Sequence, residues 1–74
     1  VARVFDGAAL RDQRRLAGIT AAQLAAVVGR TEDAVWSYET GRATPPIDIA
    51  AALADALDVH LDQLLTHTAE LAVA

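Results

Sequence analysis

The stretch GRTEDAVWSYETGR, residues 29–42, brings two acids, a tryptophan, a serine and two flanking arginines together in a 74-residue chain. Glu32 and Asp33 are adjacent hydrogen-bond acceptors, Ser37 donates and accepts, and Arg30 and Arg42 carry the planar guanidinium fork that suits oxyanions. Trp36, the one tryptophan in the chain, offers a broad apolar plate and belongs to a residue type enriched at interaction hot spots. Such a set is suited to binding. No Ser/His/Asp set, glycine-rich phosphate loop or carboxylate pair in an identifiable pocket accompanies it, so an enzyme is not expected. His60 and His67 stand seven residues apart with no carboxylate or cysteine at ligand spacing, so neither a metal nor a cofactor is expected.

Helices have to position these groups. Eighteen residues are alanine while Gly and Pro number four and two, a composition that favours helix and predicts no strands. Asp6 can cap a first helix running to about Ala17 and stopped by Gly18, with Phe5 and Leu10 as a hydrophobic staple. Thr20 and Gln23 have capping-box spacing for a short second helix over about 21–28, which buries Leu24, Ala25 and Val28; Ile19 and Leu24 repeat the staple. After Gly29, Thr31 caps a third helix through about Thr40, closed by Gly41. At 100° per residue, Ala34, Val35, Tyr38 and Glu39 fall on one side of it and Asp33, Trp36, Ser37 and Thr40 on the other, with Glu32 at the edge. Thr44, Pro45 and Pro46 lead into a fourth helix with the stripe Ile49, Leu53 and Leu57, and Asp58 has to terminate it where glycine would be easier. A fifth helix begins near His60 and buries Leu61, Leu64 and Leu65. Its period continues through Thr68, Leu71 and Ala72, so it is expected to pass Thr66, with Leu71 and Val73 aiding self-association or leading into a further segment. The expected fold is therefore all-α, a compact bundle of five short helices forming a single domain over 1–74.

Arg14 follows Leu10 by four residues and precedes Ala17 by three, so it is expected to face inward with them, while Glu39 follows Val35 by four on the inner side of the third helix. Two opposite charges pointing into one core need each other. The alternative is a pair of solvated charges.

At this length folding buries only about 60% of the unfolded chain's surface, so the core has to be efficient. With no cysteine, neither a disulfide framework nor a thiolate metal site supplements it, and a cytoplasmic setting is expected. No apolar run approaches the roughly 20 residues of a membrane span, so no membrane partner is expected. The formal net charge is −4, but it divides unevenly: residues 1–43 carry +1 and residues 44–74 carry −5. A polyanion would meet the first half, with the acidic second half turned away.

The series LRDQRRLAGIT, QLA, VG, AVWSYETGR and LADALDVHLDQLL, at its spacing over about residues 8–65, resembles the lambda-repressor-like (Cro/repressor-type, or XRE-type) helix-turn-helix family. The motif itself would occupy about 20–40. The resemblance implies sequence-specific binding to double-stranded DNA in transcriptional regulation, by a homodimer whose second helix crosses the phosphate backbone while the third enters the major groove. It places Glu32, Asp33 and Ser37 where family members read base edges, with Trp36 beside them. It places Arg42 and the position of Ala21 against the DNA backbone; Thr20, Thr40 and Arg30, the last in the turn between the two motif helices, complete the expected backbone set. It also matches Arg14 and Glu39 to a structural ion pair between the first and third helices.

Two departures from the family pattern bear on function. Ala21 stands where a phosphate-contacting glutamine is common, so one contact is absent. Glu32 and Asp33 replace the usual Gln, Arg, Ser or Asn early in the reading helix. A carboxylate can accept a hydrogen bond from the cytosine amino group, yet it also repels phosphate. The plainer reading is that both acids suit the positive end of the helix, at about 0.3–1 kcal/mol each. Trp36 is open in the same way: it could touch a thymine methyl or a sugar, anchor a protein partner, or fold back onto the second helix. A protein-interaction module that uses this acidic, tryptophan-bearing face is the competing function.

Overall fold

The computed structural model describes residues 3–67, and within them four α-helices surround one core: α1 (Gly7–Ala17), α2 (Ala21–Val28), α3 (Glu32–Thr40) and α4 (Ile47–Leu57). The N-terminal limits of the first three are set by side chains at the predicted places. Asp6 accepts a hydrogen bond from the Ala9 amide at 3.2 Å. Thr20 and Gln23 form a reciprocal capping box at 2.8 and 3.1 Å, and Thr31 accepts from the Ala34 amide at 3.1 Å. The first three helices end at Gly18, Gly29 and Gly41 with positive φ, and α4 ends at Asp58 in the same left-handed conformation, φ 56°. Every one of these terminators was expected from residue type.

Leu10, Leu24, Val35, Leu53 and Leu64 are fully enclosed, with Ala21, Ala25, Tyr38, Ala54 and Leu57 packed around them. Helix α3 rests on both α1 and α2, and α4 closes the far side of α2. At the α1–α3 crossing the backbones come very close. A Cβ on Gly7 would overlap the Tyr38 and Glu39 carbonyl oxygens, so only glycine fits at the first residue of α1. This contact sets the N-terminal end of α1 against the last turn of α3.

The end of the domain departs from expectation. In place of a fifth α-helix, Leu61–Leu64 form one turn of 3-10 helix, and the chain then extends as β2 (Leu65–His67). Strand β2 pairs antiparallel with β1 (Arg3–Phe5), matching Arg3 with His67 and Phe5 with Leu65. The expectations of no strands and of a helix continuing past Thr66 are both corrected. Leu65 takes φ −120° and ψ 153°, which stops any helix there. The Asp6 amide donates to the Leu64 carbonyl at 2.8 Å, and Arg3 pairs with Asp62 at 2.9 Å. Leu64 is buried as predicted, whereas Leu61 and Leu65 are half-buried. The expectations for Thr68, Leu71, Ala72 and Val73 lie outside the described residues.

Candidate nucleic-acid interface

The outer side of α3 carries an open groove lined by Asp33, Trp36, Ser37, Thr40 and Arg42. Sequence periodicity had put the first four on one helical side, and the turn after the helix adds Arg42. That turn is held by a single acceptor, because the Ser37 carbonyl receives the Gly41, Arg42 and Ala43 amides. Arg42 is therefore fixed against the last turn of α3, with its side chain exposed. Glu32 and Arg30 are exposed at the start of α3 and in the turn before it, but neither lines the groove. Arg30 and Arg42 make no ion pair among the described residues.

Two of the expected backbone contacts change character. Ala21 is buried as a whole residue, so its side chain offers an anion no contact. The capping box engages the Thr20 and Gln23 amides, which leaves the Ala21 and Ala22 amides at the N-terminal end of α2 with no acceptor inside the helix. The Thr40 hydroxyl donates to the Trp36 carbonyl at 2.9 Å. Its hydrogen has to leave that carbonyl before Thr40 can donate to a phosphate.

Beneath the groove lies the predicted ion pair. Arg14 and Glu39 are buried, with Nε donating to Oε2 at 2.6 Å and Nη2 to Oε1 at 3.1 Å. The third bond runs from Nη1 to the Ile19 carbonyl at 3.0 Å. Hydrogen bonding to Glu39 raises the Arg14 pKa above its ordinary value, against the opposing effect of burial, so the cation is secure. The solvated-charge alternative is excluded by this burial and geometry.

One contact escaped sequence reasoning altogether. The Arg14 guanidinium carbon lies 5.5 Å from the centroid of the Trp36 ring, within the range of a cation–π interaction. Trp36 is 44% exposed, so it is neither free in solvent nor withdrawn from the groove. A tryptophan and an arginine 22 positions apart give no local signal of contact, because the register of α1 on α3 decides it.

A model of the helix-turn-helix domain family matches residues 7–67. The chain belongs to this family. It is 39% identical over 57 residues to a Methanocaldococcus jannaschii protein named as an HTH-type transcriptional regulatory protein. That match takes in 77% of this chain but 18% of the relative, so the chain spans about a fifth of the relative's length. Among solved structures it is similar to the restriction-modification controller protein C.AhdI from Aeromonas hydrophila, with a TM-score of 0.75 and 29% identity over 78% of this chain and 84% of that one. The P22 c2 repressor, solved in complex with a synthetic operator, gives the same TM-score and identity over 78% and 88% of the two chains. These likenesses support the lambda-repressor-like form of the helix-turn-helix fold.

Proposed function

We propose that this chain is the DNA-binding domain of a transcriptional regulator, placing α3 in the major groove of double-stranded DNA as one half of a symmetric homodimer. The groove on α3 carries the reading: it joins hydrogen-bonding groups and an indole on the helix to a cation at its end. That order suits a helix whose outer side faces base edges while its end meets the sugar-phosphate chain. The operator complex of the P22 c2 repressor, a structure of the same fold, supports this docking mode.

Within this reading Asp33, Glu32, Ser37 and Trp36 face base edges. Asp33 or Glu32 would accept from a cytosine amino group, the base-pair donor that a carboxylate suits. Arg30 and Arg42 neutralise phosphates, and Thr20 and Ala21 belong to the amide-rich start of α2, where an anion is favoured by unpaired N–H groups and the helix dipole. Thr40 joins the backbone set once its hydroxyl turns outward. No cofactor takes part.

Selection from a random pool of duplexes at moderate salt is the test. A single enriched sequence is expected, arranged as two inverted half-sites, and Arg42→Ala should weaken its binding about as much as it weakens binding to unrelated duplexes. An unenriched pool, together with an Arg42→Ala variant that behaves as wild type at low salt, would rule the reading out and leave α3 as a protein-binding face.

A further inference from the structure

The three hydrogen bonds of Arg14 all lie in the plane of its guanidinium group. Two go to Glu39 on α3 and one to the Ile19 carbonyl ahead of α2. The plane cannot turn without breaking one of them. The indole of Trp36 lies against this fixed group, with the guanidinium carbon over its ring at 5.5 Å from the centroid. The side chain of Arg14 is 9% exposed and that of Glu39 is 1% exposed, so this platform is almost entirely sheltered from water. An exposed tryptophan usually samples several rotamers, but this one lies within cation–π range of a group that is held on three sides.

The partly open indole then lies in the α3 groove beside Asp33 and Ser37. Asp33 precedes it by one helical turn, and Ser37 follows it directly. Its neighbours in the groove are polar: a carboxylate, two hydroxyls and a guanidinium. Trp36 is the groove's one large apolar surface, and the major groove presents one apolar group among its base edges, the pyrimidine 5-methyl group.

We infer that Trp36 reads a pyrimidine 5-methyl group, thymine's in ordinary DNA, and that Arg14 is the positioning residue that holds the indole in the groove to do so. This assignment rests on the DNA-binding function proposed above and names what one part of that surface recognises. It also gives the buried ion pair a second task. Glu39 fixes Arg14, Arg14 fixes Trp36, and Trp36 meets the base.

The test starts from the selected duplex. Each thymine is replaced in turn by uracil, which removes the methyl group and keeps every hydrogen-bonding atom. One position per half-site should lose about fourfold in affinity, the worth of one buried methyl group. The same replacement should change nothing for Trp36→Leu, a substitution at a partly exposed site that leaves the core intact. Placing 5-methylcytosine instead of cytosine opposite guanine at that position should restore part of the binding, which separates the methyl group from thymine's other atoms. The Arg14 step is tested in a variant carrying Arg14→Met with Glu39→Met, which removes both charges and keeps apolar volume. With its circular dichroism unchanged, this variant should lose the uracil effect and leave Trp36 more open to acrylamide quenching, an unambiguous readout because the chain has one tryptophan. If the paired variant does not fold, upfield ring-current shifts on the Arg14 side-chain protons of wild type, abolished in Trp36→Leu, carry the same information. A selected duplex on which no uracil matters overturns the methyl assignment and leaves DNA binding intact. Uracil sensitivity and quenching unchanged in the folded paired variant, or absent ring-current shifts, overturn the role of Arg14. Failure to select any sequence overturns the functional reading and this inference with it.

Discussion

Arg14 stands at the junction of stability and recognition. Its carboxylate partner and the indole in cation–π contact with it both belong to α3, while its third hydrogen bond reaches the approach to α2. Arg14→Ala should cost about 3–5 kcal/mol, because Glu39 would be left as a lone buried charge; Glu39→Ala should cost a similar amount. The double alanine variant should lose less than the two separate losses combined, and denaturant titration of all three measures the difference. Additive losses under about 1 kcal/mol each would show that the pair behaves as solvated charges do. Gly7 is a second residue whose replacement has a definite expectation. Gly7→Ala gives helix α1 a better helix former at its start, yet the new methyl group meets the Tyr38 and Glu39 carbonyls. Destabilisation of about 1–3 kcal/mol is expected from the forced shift of α1 against α3, read from the same titration. An unchanged midpoint would mean that the two helices separate freely at this crossing. The inward direction of Arg14 and Glu39 was legible because each follows an apolar residue by four positions on its own helix. The tightness at Gly7 and the contact of Trp36 with Arg14 were not, because both depend on how one helix crosses another.

The limits of the first three helices were legible, since capping chemistry is local. Thr20 and Gln23, Thr31, and the glycines after each of the first three helices act on their immediate neighbours. The ribbon had no such signal. Three-residue strands are too short to display a period of two, and β1 and β2 find their partners at opposite ends of the chain. The apolar spacing of Leu61, Leu64 and Leu65 fitted an α-helix, and one 3-10 turn buries Leu64 equally well. Asp58 is the clearest case of a predicted local strain. It adopts φ 56° at the C-terminal end of α4, where a side chain is disfavoured and a negative charge opposes the helix dipole. Asp58→Gly removes both penalties at the price of greater freedom in the unfolded chain. The net effect should be a gain of up to about 1 kcal/mol, read as a higher denaturant midpoint with an unchanged slope. A lower midpoint would show that the carboxylate makes a compensating interaction.

At the scale of the whole molecule, a net charge of −4 looks hostile to a polyanion, and the distribution of charge resolves the difficulty. Asp48, Asp55, Asp58 and Asp62 are exposed on α4 and the turn that follows, separate in sequence from the reading helix. Of the six arginines, Arg14 is committed to Glu39 and Arg3 to Asp62. Arg30 and Arg42 flank α3, exposed and without an ion-pair partner among the described residues. If each engages one phosphate, the slope of log affinity against log salt should be about −2 per protomer, at roughly −0.9 for each phosphate neutralised. This is a shallow dependence for a DNA-binding protein, and it means that base contacts carry a large share of the affinity. Arg42→Ala should make the slope shallower by about one per protomer while leaving the preferred sequence unchanged. Asp33→Ala should act in the opposite sense, raising affinity for unrelated duplexes by removing a phosphate-repelling charge and flattening preference at one base pair, for which cytosine is the expected base. Binding isotherms at several salt concentrations, on the selected duplex and on a scrambled one, separate the two effects. A steep slope in wild type would bring Arg11 and Arg15 of α1 into phosphate contact and assign the backbone interface to a broader surface than the two arginines beside α3.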